Sequence, residues 1–187
     1  KRRIVVIPAN TSFDVHVTTQ LEANPTPVVS SETLHGNLLN RIKKSNIDED
    51  AIEKRIRGNL KLNGVIKGNE KKLDLPIGTI ASLDFGNATI YFLAVSKFDE
   101  KNKAHSSKKD VQTSIEKLIE YYDDRGQGYD MYLPLIGTGL SRAGLDNQES
   151  LDLIIKTMLA DTKLLNGKIN IVIQPQVIDE LLIWKEK

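Results

Sequence analysis

Cysteine is absent from all 187 residues. That excludes a disulfide framework, a thiol nucleophile and any thiolate metal site, and it fits a reducing compartment. No apolar run approaches the ~20 residues needed to cross a bilayer, and no secretion-signal pattern is present. Charge of one sign is also lacking: 26 Lys and Arg stand against 25 Asp and Glu, a net charge of +1. No global field therefore marks nucleic acid or a membrane surface as the partner. His16 and His105 have no neighbour at metal-ligand spacing, so no metal is expected. Internal repeats and low-complexity tracts are missing too.

What is present suits one domain over residues 1–187. The β-branched run Ile4–Ile7 predicts a buried strand ending at Pro8. Residues 9–30 read as loop, with Ser30 or Ser31 as the N-cap of a helix whose apolar face is Leu34, Leu38, Leu39 and Ile42. A second helix is expected over Asp48–Arg57, followed by a surface excursion over 58–76. Thr79–Asp84 and Ala88–Val95 form a hairpin candidate around Phe85-Gly86-Asn87. Ser107 and Asp110 have capping-box spacing ahead of the stripe Val111, Ile115, Leu118, Ile119 and Tyr122, which stops at Gly126 and Gly128. Met131–Ile136 is a further strand. Glu149–Leu159 is a helix with Leu151, Ile154, Ile155 and Met158 inward. Ile169–Ile173 is a last strand and Val177–Trp184 a last helix. This order predicts an α/β fold with a mixed sheet between two helical layers.

The segment Gly137-Thr138-Gly139-Leu140-Ser141-Arg142 leaves a strand and precedes a helix. Glycines there let backbone approach a ligand closely, and consecutive amides can cradle an anion such as a diphosphate. Arg142 would add a charge-assisted contact. The loop is neither a Walker motif, since no Gly-Lys-Ser/Thr follows, nor the dinucleotide fingerprint. A tight strand-to-helix turn is the plain alternative.

Three blocks in order resemble the macro domain: Val5-Val6-Ile7-Pro8-Ala9-Asn10, then Leu75–Ile80 with Ala88–Val95, then Tyr132–Gly139. The resemblance implies a macro-type mixed sheet sandwiched between helices, with Asn10 beside a distal ribose and Gly137–Arg142 around a diphosphate. Within that superfamily, Ile7–His16 followed by Thr33-Leu34-His35-Gly36 looks like the macro-like domain of membrane-anchored Thoeris antiphage effectors. This closer likeness implies that the ligand is an ADP-ribose derivative, a histidine conjugate made by a partner TIR-domain enzyme. It also implies that the chain is the cytoplasmic part of a longer bacterial protein held at the inner membrane by an upstream transmembrane region. Lys1-Arg2-Arg3 would suit such a flank. Oligomerisation of the longer protein is left open. Many macro domains carry a Gly-Asp-Ile motif before the first strand whose aspartate holds adenine. This chain begins at the strand, so that motif is cut off, replaced or missing.

Some macro domains hydrolyse ADP-ribosyl bonds, one branch using a lysine after the hairpin strand and an aspartate in the glycine loop. Lys97 occupies the first place, but Ser141 occupies the second. A serine cannot act as a carboxylate base or steady a cationic transition state. A binding domain without catalytic residues is therefore expected, and ADP-ribosyl hydrolysis with Asp14 as a substitute carboxylate is the alternative. Phe13 and Asp14 read either as adenine or ribose contacts or as a core ring and a turn aspartate. His35 and Gly36 sit where helix propensity is poor, which close ligand approach would explain; a surface histidine is the plain reading. Residues 41–72 hold ten basic and five acidic side chains. That stretch reads as a solvated helix face more readily than as a nucleic-acid surface.

Overall fold

The computed structural model describes residues 2–18, 29–68, 72–100, 103–160 and 165–182. Eight strands are β1 (Arg3–Asn10), β2 (Val17–Thr18), β3 (Val29–Ser30), β4 (Ile80–Phe85), β5 (Ala88–Phe98), β6 (Ala104–His105), β7 (Asp130–Pro134) and β8 (Ile169–Val172). Helices are α1 (Leu34–Lys43), α2 (Glu49–Leu62), α3 (Lys108–Arg125) and α4 (Asn147–Ala160), with a 3-10 helix over Pro175–Glu180. The main sheet runs β4-β5-β1-β7-β8, with β6 paired to the end of β5. β5, β1, β7 and β8 are parallel and β4 is antiparallel. This is the expected mixed α/β sandwich. No described helix is long and apolar enough to cross a membrane.

The period-2 alternation of the central strands separates two cores. Ile7, Ala9, Ile90, Phe92 and Ala94 face α1 and α2. Ile4, Val6, Tyr91, Leu93 and Val95 face α3 and α4. Both faces of β1 and β5 are buried, which is why these strands read as unbroken apolar runs.

Several boundaries differ from the sequence expectation, each for a physical reason. β1 does not stop at Pro8 but continues to Asn10. Its ladder with β7 covers only Arg3–Val5, so Pro8 has a paired neighbour on the β5 side alone, an edge-like setting that tolerates a missing N–H. Thr33, not Ser30 or Ser31, caps α1 by accepting from the Gly36 N–H at 3.0 Å. The inward face of α1 is His35, Leu39 and Ile42, while Leu34 is half exposed. α2 runs through Gly58 to Leu62, because Ile52, Ile56 and Leu60 continue one buried stripe and Gly58 sits in open space. The β4–β5 turn is the two-residue Gly86-Asn87, with Phe85 opposite Ala88 and Gly86 at φ +54°. α4 starts two residues early, where Asp146 and Glu149 cap each other reciprocally; Leu151 and Ile154 are buried and Met158 packs against the core as expected, while Ser150, Leu153 and Thr157 are buried and Ile155 is not. The last helix is a 3-10 segment; Trp184 lies outside the described residues. The Ser107/Asp110 capping box and the full α3 stripe are as expected.

Candidate functional site

Parallel β5, β1 and β7 bring their carboxyl ends to one edge of the sheet. The chain leaves β1 toward β5 and later crosses to β7 on β1's other side, so β1 is flanked by connections running in opposite directions. Such a switch point is where open α/β sheets form a crevice. Here β1 stays paired with β5 as far as Asn10 opposite Ser96, but its ladder with β7 ends at Val5 opposite Tyr132. Beyond those pairs Pro8 and Pro134 have no N–H to give to the ladder, just below the edge that carries the glycine loop.

The loop's two glycines differ. Gly137 is buried at φ +90°, and a Cβ there would come within 2.9 Å of Leu145 and 3.0 Å of Val111. Its glycine is required by backbone conformation and packing. Gly139 has an ordinary φ and no atom within 4 Å of a Cβ position, so nothing in the fold itself requires a glycine there. Thr138, Gly139 and Leu140 are exposed and Ser141 is half-buried. Ser150, from α4, holds the loop's root: its hydroxyl donates to the Ile136 carbonyl and accepts from the Ile136 N–H. Arg142, at φ +53°, donates from its guanidinium to the Ala104 carbonyl at 3.3 Å. That bond ties the loop to β6, which pairs with Lys97 and Phe98. The exposed Lys97 thus stands at the same edge as Arg142.

Asn10 closes the other side. Its Oδ1 accepts from the N–H groups of Ser12 (2.9 Å) and Asp14 (3.4 Å), fixing the turn after β1. Thr11 anchors that turn to Ser96 and to the 73–75 segment through backbone bonds and through Asp74. Phe13 adopts φ +53° and is buried in the α1/α2 core, so its ring is not presented for stacking on a base. Asp14 lies beside it with Oδ2 buried and unpartnered; burial pushes its carboxyl up to about 6.

His35 is no surface residue. It is 3% exposed, its ring tilts against Phe92 at 5.4 Å, and burial lowers it to about 4, so it is neutral at ordinary pH. Its Nε2 is buried without a partner. Gly36 has a reason within the chain, since a Cβ there would lie 2.1 Å from the Ser30 carbonyl oxygen. His35 and Gly36 therefore support the edge from beneath, whereas Asn10, Lys97 and Gly137–Arg142 reach it directly. Along 41–72, Glu49 pairs with Lys43 and His16, and Glu53 with Arg57. The basic excess is partly neutralised on its own helices.

Sequence reading missed Ser150, whose role depends on a contact 14 residues away, and a cavity of about 320 Å3 beside Asp14. Only the Glu53/Arg57 spacing of four hinted at the latter, and it reads equally as a surface pair.

A mixed sheet between helices, open at a switch point with a glycine loop, is the macrodomain architecture. A solved Oceanobacillus iheyensis macrodomain, a mutant described as being with ADPR, superposes with a TM-score of 0.51. It is 13% identical, and the match covers 94% of this chain and 80% of that one. The family model described as "Thoeris protein ThsA, Macro domain" matches residues 1–174, and the chain belongs to that family. Comparison with curated proteins returns no match.

Proposed function

We propose that this domain binds an ADP-ribose-derived signal in the crevice between β1 and β7 and does not turn it over. The switch point at β1 carries the reading: the glycine loop follows β7 on one side of it, β5 runs to Lys97 and Phe98 on the other, and Asn10 ends β1 between them. The exposed amides and hydroxyl of Thr138–Ser141 receive the diphosphate, Lys97 and Arg142 supply positive charge, and Asn10 and Asp14 border the distal ribose end. Ser141 offers no carboxylate for glycosidic cleavage.

The finer reading follows the Thoeris resemblance. The ligand is histidine-ADP-ribose, released by a partner TIR-domain enzyme, and the domain is the sensor of a membrane-anchored antiphage effector. Ligand free energy then shifts the attached membrane region only as far as its affinity differs between two states. Calorimetry tests the core claim. The wild-type domain should bind ADP-ribose, and Gly139→Glu should weaken binding at least tenfold by setting a carboxylate where the diphosphate lies. A folded wild-type sample giving no heat with ADP-ribose or its histidine conjugate overturns the proposal. Incubation with ADP-ribosylated protein or DNA should leave the substrate intact; its release would favour the hydrolase reading.

A further inference from the structure

The two edges of the main sheet are finished differently. At β4 the edge is covered: α2 packs along it, Asn59 Oδ1 accepts from the Ser82 N–H at 2.8 Å, and Arg55 lies over the Phe85 ring. β8 is the opposite edge, and no described element pairs with its outer side. The Met131 N–H donates to the Lys168 carbonyl in the parallel β7–β8 ladder, where Met131 stands opposite Ile169. By the alternation of such a ladder, the N–H and C=O of Ile169 and Ile171 point outward.

An uncovered strand edge is a template for another strand, and folded chains usually blunt it with charge or proline. Residues 169–173 carry neither: the run is Ile169-Asn170-Ile171-Val172-Ile173, and the first proline is Pro175 beyond it. The run reads almost alike in both directions about Ile171. Paired antiparallel with itself, it sets Ile171 opposite Ile171, Ile169 opposite Ile173 and Asn170 opposite Val172, so no charge meets its like. The flanks are complementary. Exposed Lys168 precedes the run, and exposed Asp179 and Glu180 follow it. A two-fold axis brings the start of each strand to the end of the other. Val172, Ile178 and Leu182, within and after the strand, are exposed apolar side chains.

We infer that the β8 edge is an interface with a second copy of this chain, the two β8 strands pairing antiparallel about Ile171 and joining two sheets into one. β7 separates this edge from the switch point at β1, so the inference stands apart from the ADP-ribose reading. A four-residue strand buries less than the roughly 1,000 Å2 of a stable interface. The pairing is therefore weak in the isolated domain and responds to local concentration.

Sedimentation equilibrium over rising protein concentration, on wild type, Val172→Lys and Val172→Lys combined with Lys168→Glu, tests it. Wild type should show a monomer–dimer equilibrium. Val172→Lys sets a cation diagonally across from Lys168 of the other copy and should weaken the dimer at least tenfold. Val172 is 51% exposed, so this variant keeps its fold, which circular dichroism checks. Adding Lys168→Glu gives each new lysine a carboxylate across the axis and should recover most of the loss. A wild type that stays monomeric up to millimolar concentration, a dimer that Val172→Lys leaves intact, or a loss that Lys168→Glu does not relieve overturns the inference.

Discussion

The two faces of the sheet are built to different standards. Against α3 and α4, the buried polar side chains are bonded to backbone: Ser114 to the Ala94 and Asp110 carbonyls, Ser150 to Ile136, Thr157 to Leu153, and Tyr122 to Tyr129. Against α1 and α2, Asp14 Oδ2 and His35 Nε2 are buried with no partner. Both unsatisfied atoms among the described residues thus fall on one face. Buried polar groups in folded chains are nearly always satisfied, so exceptions are informative. One face holds the domain together; the other keeps unmet bonding capacity beside the turn that leaves β1.

The comparison makes His35 the largest expected effect. Burial keeps it neutral in the fold, with its value lowered from 6.5 to about 4. The stability from that depression is complete above pH 6.5 and lost as pH falls toward 4, a loss of roughly 3 kcal/mol. Asp14 has the opposite sign. Its carboxyl is raised, so its contribution is complete below its ordinary value of 3.8 and fades as pH rises through about 6. Urea unfolding of wild type and His35→Phe at pH 7 and pH 4 isolates the histidine. The variant should gain roughly 3 kcal/mol on wild type as the pH is lowered. A pH-independent difference between them would mean that His35 is not sealed in the core.

On the satisfied face, the sign of a polar deletion reverses. Ser150→Ala removes both partners of the Ile136 peptide and should cost about 2 kcal/mol at neutral pH. A cost no larger than that of an exposed serine would erase the contrast between the faces.

The smallest effect belongs to the glycine loop. Gly139→Ala meets open space at an ordinary φ, so unfolding free energy should move by less than about 0.5 kcal/mol. A loss above 1 kcal/mol in denaturant titration would show that the fold itself demands a glycine there.

Legibility in the sequence followed the range of the interactions. The Ser107/Asp110 box and the α3 stripe are decided within one or two helical turns, and both were readable. The β1 and β5 strands were readable because burial on both faces leaves an apolar run. Elements failed to read where a distant contact decided them. Pro8 continues β1 because the β7 ladder ends at Val5 and asks no N–H of it; α2 passes Gly58 because Leu60 has a place in the core. The site divides in the same way. Asn10, Lys97 and the glycine loop were legible as residues ending strands. His35 was not, because a polar ring replaces Leu34 on the inward face of α1, which no periodicity rule anticipates. The Asp14 cavity joins three segments and had no local signature.

The early end of the β1–β7 ladder has a consequence for how such a site ages. The end of a strand at a switch point is defined by main chain, so its position persists while the side chains around it are exchanged. Side chains at that edge, Ser141 among them, can be exchanged without rebuilding the frame. Any proposed recognition at this edge is then tuned by side chains, while its place is fixed by the path of the backbone.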